Sequence, residues 1–509
     1  MQESAPRDGL IGTLRPWAAQ IVAAIGLGLY YIAIAQHLHL TGDEGHYLKG
    51  GRLVARLASQ AFHLDWTGAG DTVDRIVGKG WFMPGMSILL APATVLTDSI
   101  SELRLYVGLM NLALVCLALK LLRDGFGSLA QAIFLCLTLI VPYYGMFSFL
   151  FWGDLVAAQF FLVVGLLLIK KVENARGLGM SLPSGAMLGL LLTAATYLRS
   201  SYWLCLPLML AGIFFSSSAL GSLTARGRHL VRVGGACVLA FSLSLAPWSV
   251  LVSQRHGLHL TVTSRAMSQA IVFGSSEYLE RTDSNLAYRG NWRLFEKHIR
   301  RTARAAGISY REQAALELEY ATEGLTLGEY SRRAVSGLGD FLLDSEAFIV
   351  RLRESFRYGH GPTLARDPRP PVLPEEEWNP KHERRFDTIE TLNYWVWRLL
   401  LLCGFLLFVI PTDLDRRSLA VSMMFKYVAF VFTLQPFVVV AHGRYYVQYV
   451  PFIAMAIAVA AVLARNRRAR PTRRPTSLDE WLVLAGQVLA ITFGFGIVVG
   501  ALLYGWPPA

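Results

Sequence analysis

Charged residues are scarce in this sequence: they make up 17% of its 509 residues, whereas hydrophobic residues make up 54%. A soluble chain of this length would carry more charge. Apolar runs of membrane-spanning length recur along the chain, and they are continuous rather than alternating. The pattern therefore predicts an all-α polytopic membrane protein and argues against a β-barrel.

Cysteine is also rare, and its placement excludes two kinds of site. The five cysteines all fall inside apolar runs, and no two of them have CxxC spacing. Neither a disulfide framework nor a zinc site is supported, and we expect the cysteines to be buried small hydrophobic residues. They are Cys116, Cys136, Cys205, Cys237 and Cys403.

No module that combines aromatic and basic residues for nucleic-acid binding is visible, although the formal net charge is +12. The basic residues cluster between apolar runs, which is typical of cytoplasmic loops and of contact with anionic lipids. We therefore predict membrane lipids, and no nucleic acid, as partners.

The apolar runs predict about eleven membrane-spanning helices. The predicted spans are 17–38, 102–122, 126–146, 154–170, 184–198, 201–217, 230–252, 392–411, 419–440, 449–464 and 481–504. The first run also resembles a signal peptide, but its length and the spans that follow favour an uncleaved helix. Residues 81–97 are apolar but short and interrupted by Pro84, Gly85 and Pro92, which predicts a helix that lies at the interface or dips into the membrane.

The distribution of Lys and Arg predicts the orientation. If 81–97 does not cross, the basic residues of the short loops all fall on one side, the cytoplasm. The predicted organisation is an N-terminal transmembrane module (1–252, with an external loop 39–101), a mainly helical external segment (253–390), and C-terminal transmembrane helices (391–509). A basic cytoplasmic linker, 465–475, lies within the last part.

Ionisable and polar residues stand at the external ends of several predicted spans. Because unpaired charges are costly in a membrane, such residues usually pair or line a cavity, so their convergence predicts a charged external site. The candidates are Asp43, Glu44, His46, Lys79, Asp154, Arg199, Tyr202, His442, Arg444 and Tyr445.

Structural roles are open alternatives for several of these residues. Asp43 and Glu44 would suit a solvated helix N-terminus, and Asp154 would suit a helix N-cap. Arg444 would suit an interfacial anchor. Arg199 lies in a nearly continuous apolar stretch, where a structural arginine needs a carboxylate or phosphate partner.

Residues 45–60 predict an interfacial helix that would hold the two carboxylates at the membrane surface. Lys49, Arg52 and Arg56 recur at helical spacing and form a basic stripe. Such a helix lies in the headgroup plane, with its cations beside lipid phosphates.

The order of these pieces resembles the GT-C superfamily of membrane glycosyltransferases, which includes protein O-mannosyltransferases and the lipid A aminoarabinose transferase. The similar stretches are TGDEGHYLKGGRLVARL, GKGWFMPGMSILLAPATVL, FLFWGDLVAAQFFLVVGLLL, LTAATYLRSSYWLCLPLML, APWSVLVSQRHGLHLTVTSRA and HGRYYVQYVPFIAMAIA. The resemblance implies a polyprenyl-phosphate sugar donor, Asp43 as the base and Asp154 as a second acid. It implies a multi-pass protein of the inner (plasma) membrane with its active site on the periplasmic or extracellular face.

With such a donor, the reactive carbon lies just outside the bilayer. Asp43 would take the proton of an acceptor hydroxyl in a single, inverting displacement. Arg199, Arg444 and Lys79 would stabilise the phosphate that leaves, while Glu44 and Asp154 would orient the reacting groups. His46, Tyr202, His442 and Tyr445 would line the site.

The acceptor would be a glycan, a lipid or a protein, and segment 253–390 would help to recognise it. GKGWFMPG lacks the Glu-Lys pair seen in some members of the superfamily, so neither a metal nor another cofactor is predicted. The alternatives are a transporter or flippase of lipid-linked glycans and an O-antigen-type polymerase or ligase. A transporter should show broken helices near the midplane or an inverted repeat, and the polymerase class does not require an acid pair straight after the first span.

Overall fold

The computed structural model describes residues 17–38, 40, 43–78, 82–175, 178–220, 222–256, 300–308, 416–433 and 447–466. It also describes scattered residues between 312 and 403 and between 481 and 492. Throughout these parts of the chain the regular structure is helical, without strands. The external segment 253–390, the linker 465–475 and the predicted spans 392–411 and 481–504 lie largely outside the described residues.

The N-terminal part begins with one apolar helix and continues with three shorter helices. α1 ends well before residue 38, and a 3₁₀ turn, Ala35–His37, follows it. The four helices are α1 (Ala18–Ala33), α2 (Glu44–Phe62), α3 (Ala69–Val77) and α4 (Gly85–Leu96). With 12 residues, α4 is about 18 Å long. It is too short to cross a hydrocarbon core of about 30 Å, as the sequence predicted for 81–97.

Two long helices follow, with two shorter ones between them. They are α5 (Ile100–Phe126), α6 (Ser128–Ile140), α7 (Pro142–Phe147) and α8 (Gly153–Asn174). The Ser99 side chain caps α5 by accepting from the amide of Glu102, and Gly127 ends α5 at a φ of +87° that favours glycine. The run predicted as one span over 126–146 is divided between two helices, because α6 ends at Ile140 and Pro142, which lacks an amide proton, starts a new helix.

The next helices follow α8 in the N-terminal part of the chain. α9 (Leu182–Leu198) is followed by a 3₁₀ turn, Ser200–Cys205, and by α10 (Leu206–Ser216). α11 (Leu223–His229) continues through a π-helical turn, Leu230–Gly234, into α12 (Gly235–His256). Two helices are described in the C-terminal part: α13 (Arg416–Thr433) and α14 (Val450–Asn466).

Three helices of the described residues are long and apolar enough to cross a membrane. They are Ile100–Phe126, Gly153–Asn174 and Leu223–Gln254. The most apolar 18-residue window of α8 is 72% buried, against 39% and 28% for the other two. α8 is therefore the central helix, with α5, α9, α10, α13 and α14 packed around it.

Small residues allow neighbouring helices to approach closely. A Cβ on Gly189 of α9 would lie 2.2 Å from the carbonyl oxygen of Cys237 in α12, and one on Gly185 would lie 2.4 Å from that of Val233. Such contacts are typical of helix packing in membranes. Cys205 and Cys237 are buried as predicted, but Cys136 is exposed on α6, so the prediction of uniform burial is wrong.

Candidate functional site

The first predicted acid stands at the beginning of α2. Asp43 occupies the N-cap position, and its carbonyl oxygen accepts from the amides of His46 and Tyr47 at 2.9 and 3.3 Å. Its backbone is in the right-handed helical region (φ −81°, ψ −5°), and its side chain makes no capping hydrogen bond. Asp43 is half-buried. The geometry therefore does not support a capping role for this carboxylate.

Glu44 is fully buried and forms a two-pronged ion pair with Arg104 of α5. Both guanidinium ends donate to the carboxylate, Nη1 to Oε1 at 2.8 Å and Nη2 to Oε2 at 2.9 Å. The amide of Phe151 also donates to Oε1 at 2.9 Å. Because both side chains are 0% exposed, Glu44 does not belong to a solvated helix terminus. It ties the start of α2 to α5 and to the turn before α8.

Arg104 is the residue that the sequence interpretation missed. Besides Glu44, it donates to the carbonyl oxygens of Leu38 and Phe149 at 3.2 and 3.4 Å, and its guanidinium lies 5.1 Å from the centroid of the Phe151 ring. The signal was available, since an arginine in the first turns of an apolar helix needs a partner. The positive-inside rule considers the basic residues of loops, whereas Arg104 lies within α5.

The second ion pair joins Asp154 of α8 to Arg199 at the end of α9. Arg199 Nε lies 3.0 Å from Asp154 Oδ1, and Gln448 Nε2 donates to the same oxygen at 3.2 Å. Arg199 thus has a carboxylate partner, as predicted for a structural arginine in an apolar stretch. The Asp154 side chain is 1% exposed and that of Arg199 is 16% exposed, so the pair reaches the surface through the arginine.

The alternative in which Asp154 is an N-cap is wrong. α8 begins at Gly153 with Trp152 as its N-cap, so Asp154 is the second residue of the helix. There its carboxylate still has a favourable interaction with the helix dipole, but its bonds go to side chains of distant segments. Gln448 is a second residue of the site that the sequence interpretation did not identify.

The backbones of these turns touch one another. A Cβ on Gly153 would lie 2.6 Å from the carbonyl oxygen of Leu198, and one on Gly85 would lie 2.5 Å from that of Tyr197. The Ser87 hydroxyl donates to the carbonyl oxygen of Tyr47 at 3.3 Å, which fixes α4 to α2. The starts of α2, α4 and α8 and the end of α9 therefore meet at one end of the helix bundle.

The two remaining described candidates differ in exposure. His46 is exposed and stacks on Phe82, with ring centroids 5.1 Å apart. Tyr202 is fully buried, and its ring lies 5.0 Å from that of Phe161 in α8. Four further candidates, Lys79, His442, Arg444 and Tyr445, lie outside the described residues.

The arrangement combines the buried Glu44–Arg104 pair, the Asp154–Arg199 pair, which reaches the surface through its arginine, and the half-buried carboxylate of Asp43. Ion pairs of this kind cost desolvation energy and hold their partners in fixed geometry. Asp43 directly precedes Glu44, so the buried pair fixes the backbone that carries the Asp43 carboxylate. Within the described residues, no group of three or more His, Cys, Asp or Glu side chains could hold a metal ion.

Comparison of the chain with protein-family models and with curated proteins returned no match.

Proposed function

We propose that this protein is a membrane glycosyltransferase that moves a sugar from a polyprenyl-phosphate donor to an acceptor hydroxyl. The observation that carries the proposal is the convergence of two buried carboxylates, each paired with an arginine (Glu44–Arg104 and Asp154–Arg199), at the end of the bundle where the half-buried Asp43 lies. Ionisable residues in the helices of a membrane protein are expensive to bury and commonly serve function. Here they gather at one end of helices long enough to cross a bilayer.

The chemistry assigned to Asp43 is that of a general base. Its carboxylate takes the proton of the acceptor hydroxyl while the hydroxyl oxygen forms a bond to the anomeric carbon. The bond between that carbon and the phosphate oxygen breaks, and the lipid phosphate leaves with the bonding electrons. The anomeric centre is thereby inverted. Glu44, which is enclosed by Arg104 and Phe151, acts as a positioning residue that holds Asp43 in place.

Cations are needed for the phosphate that leaves, because its negative charge grows as the bond breaks. Arg199 suits this role, since its side chain is partly exposed while its partner Asp154 is buried. Arg444, predicted from the sequence, is a second candidate for this role. Lys79 is a further phosphate-binding candidate, and His46, Tyr202, His442 and Tyr445 are candidates for lining the site.

The proposed arrangement in the cell follows from the same chemistry. The chain would cross the inner (plasma) membrane about eleven times, with the site on the periplasmic or extracellular face where the headgroup of the donor is exposed. Residues 1–252 would form the catalytic module and segment 253–390 would help to recognise a glycan, lipid or protein acceptor. The proposed reaction uses no cofactor.

The test compares Asp43→Asn with Asp71→Asn, a matched change at an exposed aspartate of α3. Purified protein is incubated with a panel of polyprenyl-phosphate sugars and acceptors, and release of lipid phosphate is measured. We expect Asp43→Asn to lower transfer by roughly 10²–10⁴-fold, the usual contribution of a general base, with donor binding retained. The Asp71→Asn control should transfer at the wild-type rate.

A merely structural role for Asp43 predicts a different result. Loss of a helix cap costs about 1 kcal/mol of stability and leaves transfer intact in the folded fraction. Normal transfer by a folded Asp43→Asn protein, or no release of phosphate from any donor by the wild type, would refute the proposal.

A further inference from the structure

The turn between α2 and α3 is held in one conformation by hydrogen bonds. The amide of Asp65 donates to the carbonyl oxygen of Gln60 at 2.9 Å, and the Gln60 side chain, which is almost fully buried, donates to that of Thr67 at 3.1 Å. The amide of Thr67 donates back to Asp65 Oδ1 at 3.0 Å. These hydrogen bonds fix the backbone of the turn, and none of them involves the large apolar side chains that the turn carries.

Three large apolar side chains project from this turn into the surroundings. Phe62, Leu64 and Trp66 are 84%, 76% and 63% exposed. Leu64 also has a φ of +54°, a left-handed conformation that costs an L-residue roughly 1–2 kcal/mol and that glycine adopts freely. Moving such side chains out of water is worth roughly 1.5–3 kcal/mol each. A turn that exposes three such side chains is therefore more stable in contact with an apolar medium than in water.

The neighbouring surfaces indicate that this medium is lipid. α4 packs alongside α2 and presents an exposed apolar stripe of Ile88, Val95 and Leu96. On α2 itself, Lys49 and Arg56 are exposed, and such cations complement anionic lipid phosphates. An apolar surface next to a basic one is typical of helices that lie at the boundary between headgroups and acyl chains.

Asp65 limits the depth of this contact. Its carboxylate lies between Leu64 and Trp66 in sequence, and the hydrogen bond from the Thr67 amide lowers its pKa. It therefore stays charged at neutral pH and must remain among the headgroups. The aromatic ring of Trp66 suits the same level, where indole rings are commonly found in membrane proteins.

We propose that residues 62–66 form a lipid-inserted turn, with Phe62 and Leu64 in the acyl boundary and Asp65 and Trp66 among the headgroups. α2 has 19 residues and so runs about 28 Å from Asp43 to this turn. An anchor at the far end of α2 fixes the helix to the membrane surface. The inference concerns membrane contact alone and holds whether or not the protein transfers sugar.

The test measures where a label at this turn resides. A nitroxide is attached at Leu64→Cys in the full-length protein with Cys136→Ala, which removes the exposed native thiol. The protein is placed in nanodiscs of equal parts phosphatidylcholine and phosphatidylglycerol. Collision of the nitroxide with oxygen, which concentrates in acyl chains, is compared with collision with a water-soluble nickel chelate.

We expect the label at Leu64 to collide more with oxygen than with nickel, and a control label at the exposed Asp71→Cys to show the reverse. Phe62→Cys is a second test position that leaves the strained backbone position unchanged, and the same result is expected there. If both test labels are as accessible to nickel as the control, the turn faces water. If both are shielded from the two reagents, a protein segment covers the turn. Either result would overturn the proposal.

Discussion

At the scale of single residues, the buried carboxylates of Glu44 and Asp154 each have an arginine and a further hydrogen-bond donor as partners. The Glu44 carboxylate accepts hydrogen bonds from both guanidinium ends of Arg104 and from the amide of Phe151. The Asp154 carboxylate forms an ion pair with Arg199 and accepts a hydrogen bond from Gln448. The desolvation cost of each charge is offset only while its partner is present. Removing one partner should therefore be more harmful than removing both.

This expectation predicts a strong coupling between Glu44 and Arg104. Arg104→Met leaves the Glu44 carboxylate buried and uncompensated, and should cost about 3–5 kcal/mol of stability. The double variant Glu44→Gln/Arg104→Met has no buried charge at this position and should be more stable than Arg104→Met alone. Thermal unfolding of the purified variants, read from intrinsic fluorescence, measures the coupling. Additive losses would show that the two side chains act independently.

At the scale of helices, the site depends on where elements begin and end. α8 starts at Gly153, in contact with the carbonyl oxygen of Leu198, and this contact brings Asp154 to Arg199 at the end of α9. The sequence predicted these helices within a few residues, as 154–170 and 184–198, because their apolar runs are continuous. It did not predict the break at Pro142, since apolar residues continue on both sides of that proline.

Adding a methyl group at Gly153 tests this contact. Gly153→Ala would place a Cβ 2.6 Å from the Leu198 oxygen, which forces a backbone shift and should cost about 1–3 kcal/mol. The control is Gly28→Ala in α1, where a Cβ meets no atom of the described residues within 4 Å. It should be neutral or stabilising by up to about 1 kcal/mol, since alanine favours helix. Equal unfolding temperatures for the two variants would contradict this account.

At the scale of the whole molecule, the two ends of the central helices differ in charge. Both α5 and α8 begin near the ion pairs. Towards its other end, α5 carries Lys120 and Arg123, and α8 carries Lys170 and Lys171. Basic residues at the end remote from the site are what the positive-inside rule predicts for an external site. The proposed orientation rests on this asymmetry of charge.

Cysteine accessibility in intact cells tests the orientation. With Cys136→Ala as background, Asp71→Cys should react with a membrane-impermeant maleimide added from outside. Lys120→Cys, at an exposed position near the opposite end of α5, should react only after the membrane is permeabilised. The opposite pattern would place the ion pairs on the cytoplasmic side and remove the basis for an external donor.

The sequence by itself determined that the chain is helical and apolar enough for a membrane, because continuous hydrophobic runs leave few other structures for the backbone. It also indicated Asp43, Glu44, Asp154 and Arg199 as candidates for a charged site, because an unpaired charge next to such an apolar run is costly. Only the tertiary structure decided the partners: Arg104 for Glu44, and Arg199 with Gln448 for Asp154. These residues are 60, 45 and 294 positions apart in sequence. Which distant charges meet is decided by the packing of whole helices, and periodicity along one segment carries no information about that packing.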